Sequence, residues 1–246
     1  MERVRLIGIP GSHPVVAVQA MLEYKGIPYV RRDLPTGLHR PLLRLRGFHR
    51  RTVPVARIAG RRVEGSRAIT RALDELQPER PLLPADPARR AQVEELERWA
   101  DEEFQQTARR LAHWGVRHDR ASLQTFATPS YLSLPPWLVQ ALLPLLTPLI
   151  RAGFRVGDDE AHACLALLPE QLDRIDAAVA AGLLDGDAPN AADFQVAATV
   201  GLLDCFDDLR PHLEPRPAGA LARRLVPDYA GRIGPVFPSE WLPPLD

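Results

Sequence analysis

The 246-residue sequence predicts an α/β unit followed by an all-helical one. Three observations carry that prediction. Strand-like runs alternate with helical periods only before residue 78, four prolines crowd the ten positions from Pro78 to Pro87, and every long segment beyond them reads as helix. Strands alternating with helices early, then helices alone, describe two domains. Proline stiffens a connector and blocks helix. The expected domains are therefore 1–78 and 88–246, with 79–87 as a proline-rich linker.

The elements follow in order. Val4 to Ile9 opens the chain as a strand. Gly11-Ser12-His13-Pro14 turns into a helix from about Val15 to Tyr24, whose Val15, Val18, Met21 and Leu22 keep a helical period. Lys25-Gly26 ends it, because glycine relieves left-handed strain at a helix terminus. Tyr29 to Leu34 is a second strand, and Thr36 to Arg51 is basic and irregular. Val55 to Ile58 and Arg62 to Glu64 form a hairpin about Ala59-Gly60. Ser66 caps a helix running to Leu76.

Beyond the linker, Ala88 to Trp114 reads as one long helix and Arg117 to Pro136 as irregular chain. Trp137 to Phe154 is strongly apolar, broken by Pro144 and Pro148, and reads as a bent core helix. Its apolar run is too short for a bilayer, which takes ≈ 20 residues. Glu160 to Ala181 is helical, and Leu183 to Asp187 turns. Asn190 and Asp193 form a capping box for the helix Ala191 to Leu203. Pro217 to Leu225 is a short last helix before the proline-rich tail.

Composition excludes several classes. The 31 basic and 31 acidic side chains cancel, so no bulk charge points to nucleic acid or an anionic membrane. The two cysteines, Cys164 and Cys205, begin no metal-ligand spacing, and the seven histidines are scattered, so no metal is expected. Two reduced, buried thiols suit a reducing compartment. The N-terminus shows no charged-then-apolar signal pattern, and a cytoplasmic location follows.

Ser12 and His13 stand where a strand ends and a helix begins. A helix N-terminus offers free N–H groups and partial positive charge, which favour a thiolate over a thiol. A serine hydroxyl there can donate to such a thiolate, or it can simply cap the helix. His13 can exchange a proton or sit solvated. With Val15 rather than a second thiol following, the turn cannot run dithiol exchange by itself. His39, Arg40, Arg44, Arg50 and Arg51 make a cationic stretch, either a solvated loop or a field for an anionic ligand.

The order and spacing of Ser12-His13-Pro14-Val15, Ala20 to Tyr29, Thr52-Val53-Pro54 and Gly65-Ser66-Arg67-Ala68-Ile69 resemble the thioredoxin-like half of a cytosolic glutathione transferase. The resemblance runs to about residue 85 and continues beyond it in outline. It implies a thioredoxin-like α/β N-terminal domain plus an all-α C-terminal domain, the partners being a homodimeric copy and glutathione or another small thiol as co-substrate. It gives Ser12, 13 positions before Lys25, the thiolate-stabilising role, with His13 as its rival. It makes the Val53–Pro54 bond cis, so that Val53 pairs with the cysteinyl backbone of glutathione like an added strand. Ser66, 12 residues beyond Pro54, receives the γ-glutamyl carboxylate, and His39 lies in the region that reaches the glycyl carboxylate. Gly65 departs from the family, which places an acid or amide there. The activity implied is attack of the activated thiol on a small apolar electrophile. A non-catalytic binding protein of the same fold and a thiol-dependent isomerase are the alternatives.

Overall fold

The computed structural model describes residues 4–119, 121–126 and 155–242. Strands β1 (Val4–Gly8), β2 (Tyr29–Asp33), β3 (Val55–Ile58) and β4 (Arg61–Glu64) form one sheet in the order β2-β1-β3-β4. β1 runs parallel to β2, while β3 is antiparallel to both β1 and β4. Helix α1 (His13–Lys25) supplies the crossover from β1 to β2, as a parallel pair requires. It starts two residues earlier than its apolar period suggests, because Pro14, in its first turn, needs no N–H partner there. Gly26 ends it at φ 67°, donating to the Glu23 and Leu22 carbonyls.

The basic stretch after β2 is not wholly irregular. It contains α2 (His39–Leu45), whose Leu43 packs with Phe48, Ile7, Leu34 and Val55 on one face of the sheet. That small cluster supplies the burial that a charged heptapeptide lacks alone. Helix α3 (Ser66–Leu76) packs beside α1 over the other face. Its cap is Gly65, and Ser66 is its first helical residue, which corrects the reading of Ser66 as the cap.

The connecting stretch is docked rather than loose. Leu82 and Leu83 are buried, and their N–H groups donate to the Asp74 carboxylate of α3. The Lys25 ammonium, fully buried, donates to Asp74 at 2.8 Å and to the carbonyls of Glu79 and Arg80. The end of α1, α3 and the connector are thus tied at one point.

The helical part begins with α4 (Pro87–Trp99), capped by Asp86, and continues as α5 (Gln105–His118). The expected single helix is interrupted by a five-residue π-helical segment, Ala100–Phe104. The chain then makes a one-turn helix α6 (Ser122–Thr125) where irregular chain was expected. The remaining expectations for residues 127–154, including the bent apolar helix, lie outside the described residues. Helix α7 (Asp158–Ala180) follows. Then come α8 (Ala191–Asp204), the short α9 (Arg210–Leu213) and α10 (Pro217–Leu225).

Every residue of α8 from Ala191 to Leu203 is buried, as befits a helix apolar on all sides. It packs against α1, α4, α5 and α10. Its capping box forms as expected: the Asn190 side chain accepts from the Ala192 and Asp193 N–H groups, and Asp193 accepts from the Asn190 N–H. Cys164 and Cys205 are free and buried, and burial pushes the Cys205 thiol up to about 12. Among the described residues no helix is long and apolar enough to cross a membrane.

Candidate functional site

The two parts of the chain meet along α1, α3 and the α4–α5 run. Glu97 of α4 is wholly buried and held by Arg71 and Arg67 of α3. Arg67 also reaches Glu102 at 3.4 Å. It is therefore a half-buried bridge between the two parts.

Next to this bridge lies a cavity of about 550 Å³. From the α/β side it is lined by Pro14, Val53, Pro54, Gly65 and Ser66, and from the helical side by Asp101, Glu102, Gln105 and Arg109. The Val53–Pro54 bond is cis. The Pro54 carbonyl accepts from the Gly65 N–H, which ties the turn before β3 to the start of α3. None of the hydrogen bonds among the described residues uses the N–H or C=O of Val53. Ser66 is buried, and its hydroxyl makes no hydrogen bond among those residues. Val53, Pro54, Gly65 and Ser66 are therefore brought together as the sequence implies.

Gly65 has a physical reason to be glycine. Its φ is 94°, and a Cβ built there would stand 2.6 Å from a terminal nitrogen of Arg50. The Arg50 guanidinium thus lies across the place that a side chain at position 65 would take. The backbone that carries it is fixed from behind, since the Glu64 carboxylate accepts from the backbone N–H groups of His49 and Arg50. Burial acts against the charged form of Glu64, but those two bonds and the nearby cations prevail and lower its pKa.

His39 does not reach this cavity. It opens α2, half-buried, with Nδ1 lacking a partner. Arg50, in the loop after α2, is the cation that lines the cavity instead. Burial, then the Arg40 charge, lowers the pKa of His39.

Ser12 occupies the N-cap position of α1 with an extended backbone, yet its hydroxyl makes no capping bond. Its carbonyl accepts from the Val15 and Val16 N–H groups. Pro14 has no N–H, so the His13 N–H is the donor left at this terminus among the described residues. Ser12 and His13 do not line the 550 Å³ cavity themselves, although their neighbour Pro14 does. The turn is fixed from the other side: Tyr229 donates its hydroxyl to the Gly11 carbonyl, and Phe126 packs against Gly11.

His13 is buried, and its Nε2 has no partner. Burial first, then the charges of Arg109 and His113, hold its pKa well below 6.5. His113 is lowered to about 4 by burial and by Arg109. Both imidazoles are thus neutral at neutral pH, and His13 is a poor proton acceptor. Trp114, one residue on, is core: it stacks on Phe237 and donates to Asp158.

Sequence reading missed Asp101, Glu102 and Arg109. The first two sit on the π-helical segment, which widens one turn and turns carboxylates toward the cavity. Such bulges are frequent at functional sites, but nothing in Ala100–Phe104 distinguishes it from ordinary helix in sequence. Among the described residues no group of three or more His, Cys, Asp or Glu could hold a metal ion.

Residues 6–81 match the family of glutathione S-transferase N-terminal domains. No curated protein matches the sequence. Among solved structures, a glutathione S-transferase from Rhodospirillum rubrum is similar at TM-score 0.65 and 22% identity, over 92% of this chain and 88% of that one. A glutathione S-transferase from Sinorhizobium meliloti is similar at 0.63 and 20%, over 98% of both chains. The beta-etherase LigF from Sphingobium is similar at 0.63 and 16%, over 92% of this chain and 96% of that one. Residues 6–81 thus resemble a glutathione S-transferase N-terminal domain, and the chain has the glutathione transferase fold: a thioredoxin-like α/β part followed by an all-helical part.

Proposed function

We propose that this chain binds glutathione in the cleft beside Val53–Pro54 and activates its thiol for attack on a small electrophile held by the helical part. The observation that carries the reading is the cavity itself. It joins the cis-prolyl turn and the amino end of α3 to a wall bearing both carboxylates and guanidinium groups. The γ-glutamyl end of glutathione carries an ammonium and a carboxylate. Asp101 and Glu102 suit the ammonium. The Ser66 hydroxyl, the α3 N-terminus and Arg50 suit the carboxylate. The unused N–H and C=O of Val53 suit the cysteinyl backbone.

With the tripeptide so held, its sulfur is directed toward the amino end of α1. The Ser12 hydroxyl and the His13 N–H are the donors available for the thiolate. The thiol proton leaves to solvent, because a buried imidazole beside Arg109 accepts it poorly. A hydrogen bond to a charged acceptor contributes ≈ 1.5–3 kcal/mol. That is enough to shift a thiol pKa by about one to two units. The thiolate then attacks the electrophile directly. We assign the homodimer and the cytoplasmic setting to the same proposal.

Titration calorimetry of glutathione onto the purified chain tests this reading. Binding is expected, weakened about tenfold or more in Ser66→Ala, from the loss of one charge-assisted hydrogen bond. No heat and no competition by glutathione conjugates would overturn it. Binding without turnover of any electrophile would leave a glutathione-binding protein of this fold.

A further inference from the structure

We propose that the electrophile taken up by this cleft carries a carboxylate, and that Arg109 is the residue that binds it. The proposal rests on the glutathione reading above and names the class of its second substrate.

Arg109 projects from α5 into the cavity wall. It is half-buried and forms no salt bridge among the described residues. Its bonded partners are two neutral amide oxygens, those of Gln105 and Gln106. A guanidinium has five N–H donors, so most of its capacity is unused. The Asp101 carboxylate acts on it through space but makes no direct ion pair with it; a partly buried cation so poorly paired is costly, and an anion delivered by a ligand reduces that cost.

The side chain is also held in place. The Gln105 amide donates to the Asp101 carboxylate at 2.8 Å, which turns the carbonyl of the same amide toward Arg109. Asp101, Gln105 and Arg109 follow each other at four-residue spacing along one face of the run, a ladder that fixes the guanidinium plane. A fixed planar fork suits a planar carboxylate.

The position belongs to the electrophile rather than to glutathione. Arg50 and Ser66 already stand at the opposite wall, where the γ-glutamyl carboxylate is expected. Arg109 instead acts on His13, next to Ser12, and on His113. His13 contributes a second observation: its Nε2 is buried without a partner in the field of the same guanidinium. An arriving carboxylate relieves the guanidinium by accepting from its unused N–H groups, and its charge offsets the field that Arg109 exerts on the buried imidazole.

The chemistry balances without a co-reactant. With para-(chloromethyl)benzoate, the thiolate sulfur forms a bond to the benzylic carbon, the carbon–chlorine bond breaks with its electron pair, and chloride leaves.

The test compares two conjugates of glutathione by calorimetry, S-(para-carboxybenzyl)glutathione and its carboxamide analogue. Wild type is expected to bind the carboxylate about tenfold to a hundredfold more tightly, the range of charge-assisted hydrogen bonds. Arg109→Gln is expected to abolish that preference while keeping its affinity for glutathione itself, which also reports an intact fold. Arg109→Lys should keep part of it, having the charge without the fork. Equal binding of the two conjugates by wild type overturns the proposal and leaves the glutathione reading standing. So does an Arg109→Gln variant that loses glutathione and both conjugates alike, for then Arg109 holds the thiol substrate's own carboxylate. Failure of wild type to bind glutathione or either conjugate overturns both readings.

Discussion

Gly65 offers a prediction that runs against the family pattern. The resemblance drawn from the sequence implies an acid or amide before the serine that opens this helix, so Gly65→Gln looks like a repair. The geometry says the reverse. At φ 94° and ψ 147°, a side chain meets backbone strain of about 1–3 kcal/mol. Its Cβ would also stand 2.6 Å from an Arg50 terminal nitrogen. Arg50 is exposed and can swing away cheaply, so the stability loss is that of the backbone alone. In a chain of this size 1 kcal/mol moves Tm by about 2–4 °C, giving an expected loss of about 2–12 °C for both Gly65→Ala and Gly65→Gln. Function suffers separately, because displaced Arg50 leaves the cavity wall and the start of α3 shifts under Ser66. Glutathione affinity should drop about tenfold. Gly60→Ala is the control: φ there is 78°, nothing lies within 4 Å of the added Cβ, and affinity should not change. Thermal melts and calorimetry on the three variants decide. A Gly65→Gln variant as stable as wild type that binds glutathione more tightly would refute the reasoning.

Two further variants probe how the halves are joined and how pH acts on the joint. Asp74→Ala leaves the buried Lys25 ammonium without its carboxylate and strips two connector N–H groups of their acceptor. A loss of about 3–5 kcal/mol is expected by urea denaturation, and a loss under 1 kcal/mol would contradict the clasp. For His113, burial and Arg109 put the folded pKa near 4, below the ordinary 6.5. The unfolded chain therefore takes up the proton first. The stability that depends on the neutral ring is present above pH 6.5 and is lost as pH falls toward 4, by at most about 3 kcal/mol. The stability difference between wild type and His113→Gln should shrink over that window, and a pH-independent difference would count against it.

The sequence made the repeating parts legible because each is a local rule. The period of Val15, Val18, Met21 and Leu22 marks α1, Gly26 marks its end, and Asn190 with Asp193 marks the start of α8. The resemblance also implied the cis bond at Val53–Pro54 and placed Ser66 beside it, and both line the same cavity. What stayed hidden is non-local. Helix α2 exists because Leu43 and Phe48 find a sheet face to cover. The π-helical turn has no signature of its own, so Asp101 and Glu102 read as surface helix. Arg50 was one basic residue among several until Glu64 fixed its backbone over Gly65. His39 stays outside the cavity for the same reason: proximity in sequence to a cationic loop does not fix which cation the fold turns inward.

The central claim is that a bound sulfur anion takes a hydrogen bond from the Ser12 hydroxyl, which the helix itself leaves unused. Ultraviolet titration of the thiolate in the glutathione complex measures this directly, with wild type compared against Ser12→Ala. The account expects the wild-type complex to ionise about one to two pH units below free glutathione, and the alanine variant to return most of that interval while still binding. Identical titration curves for the two complexes would contradict it.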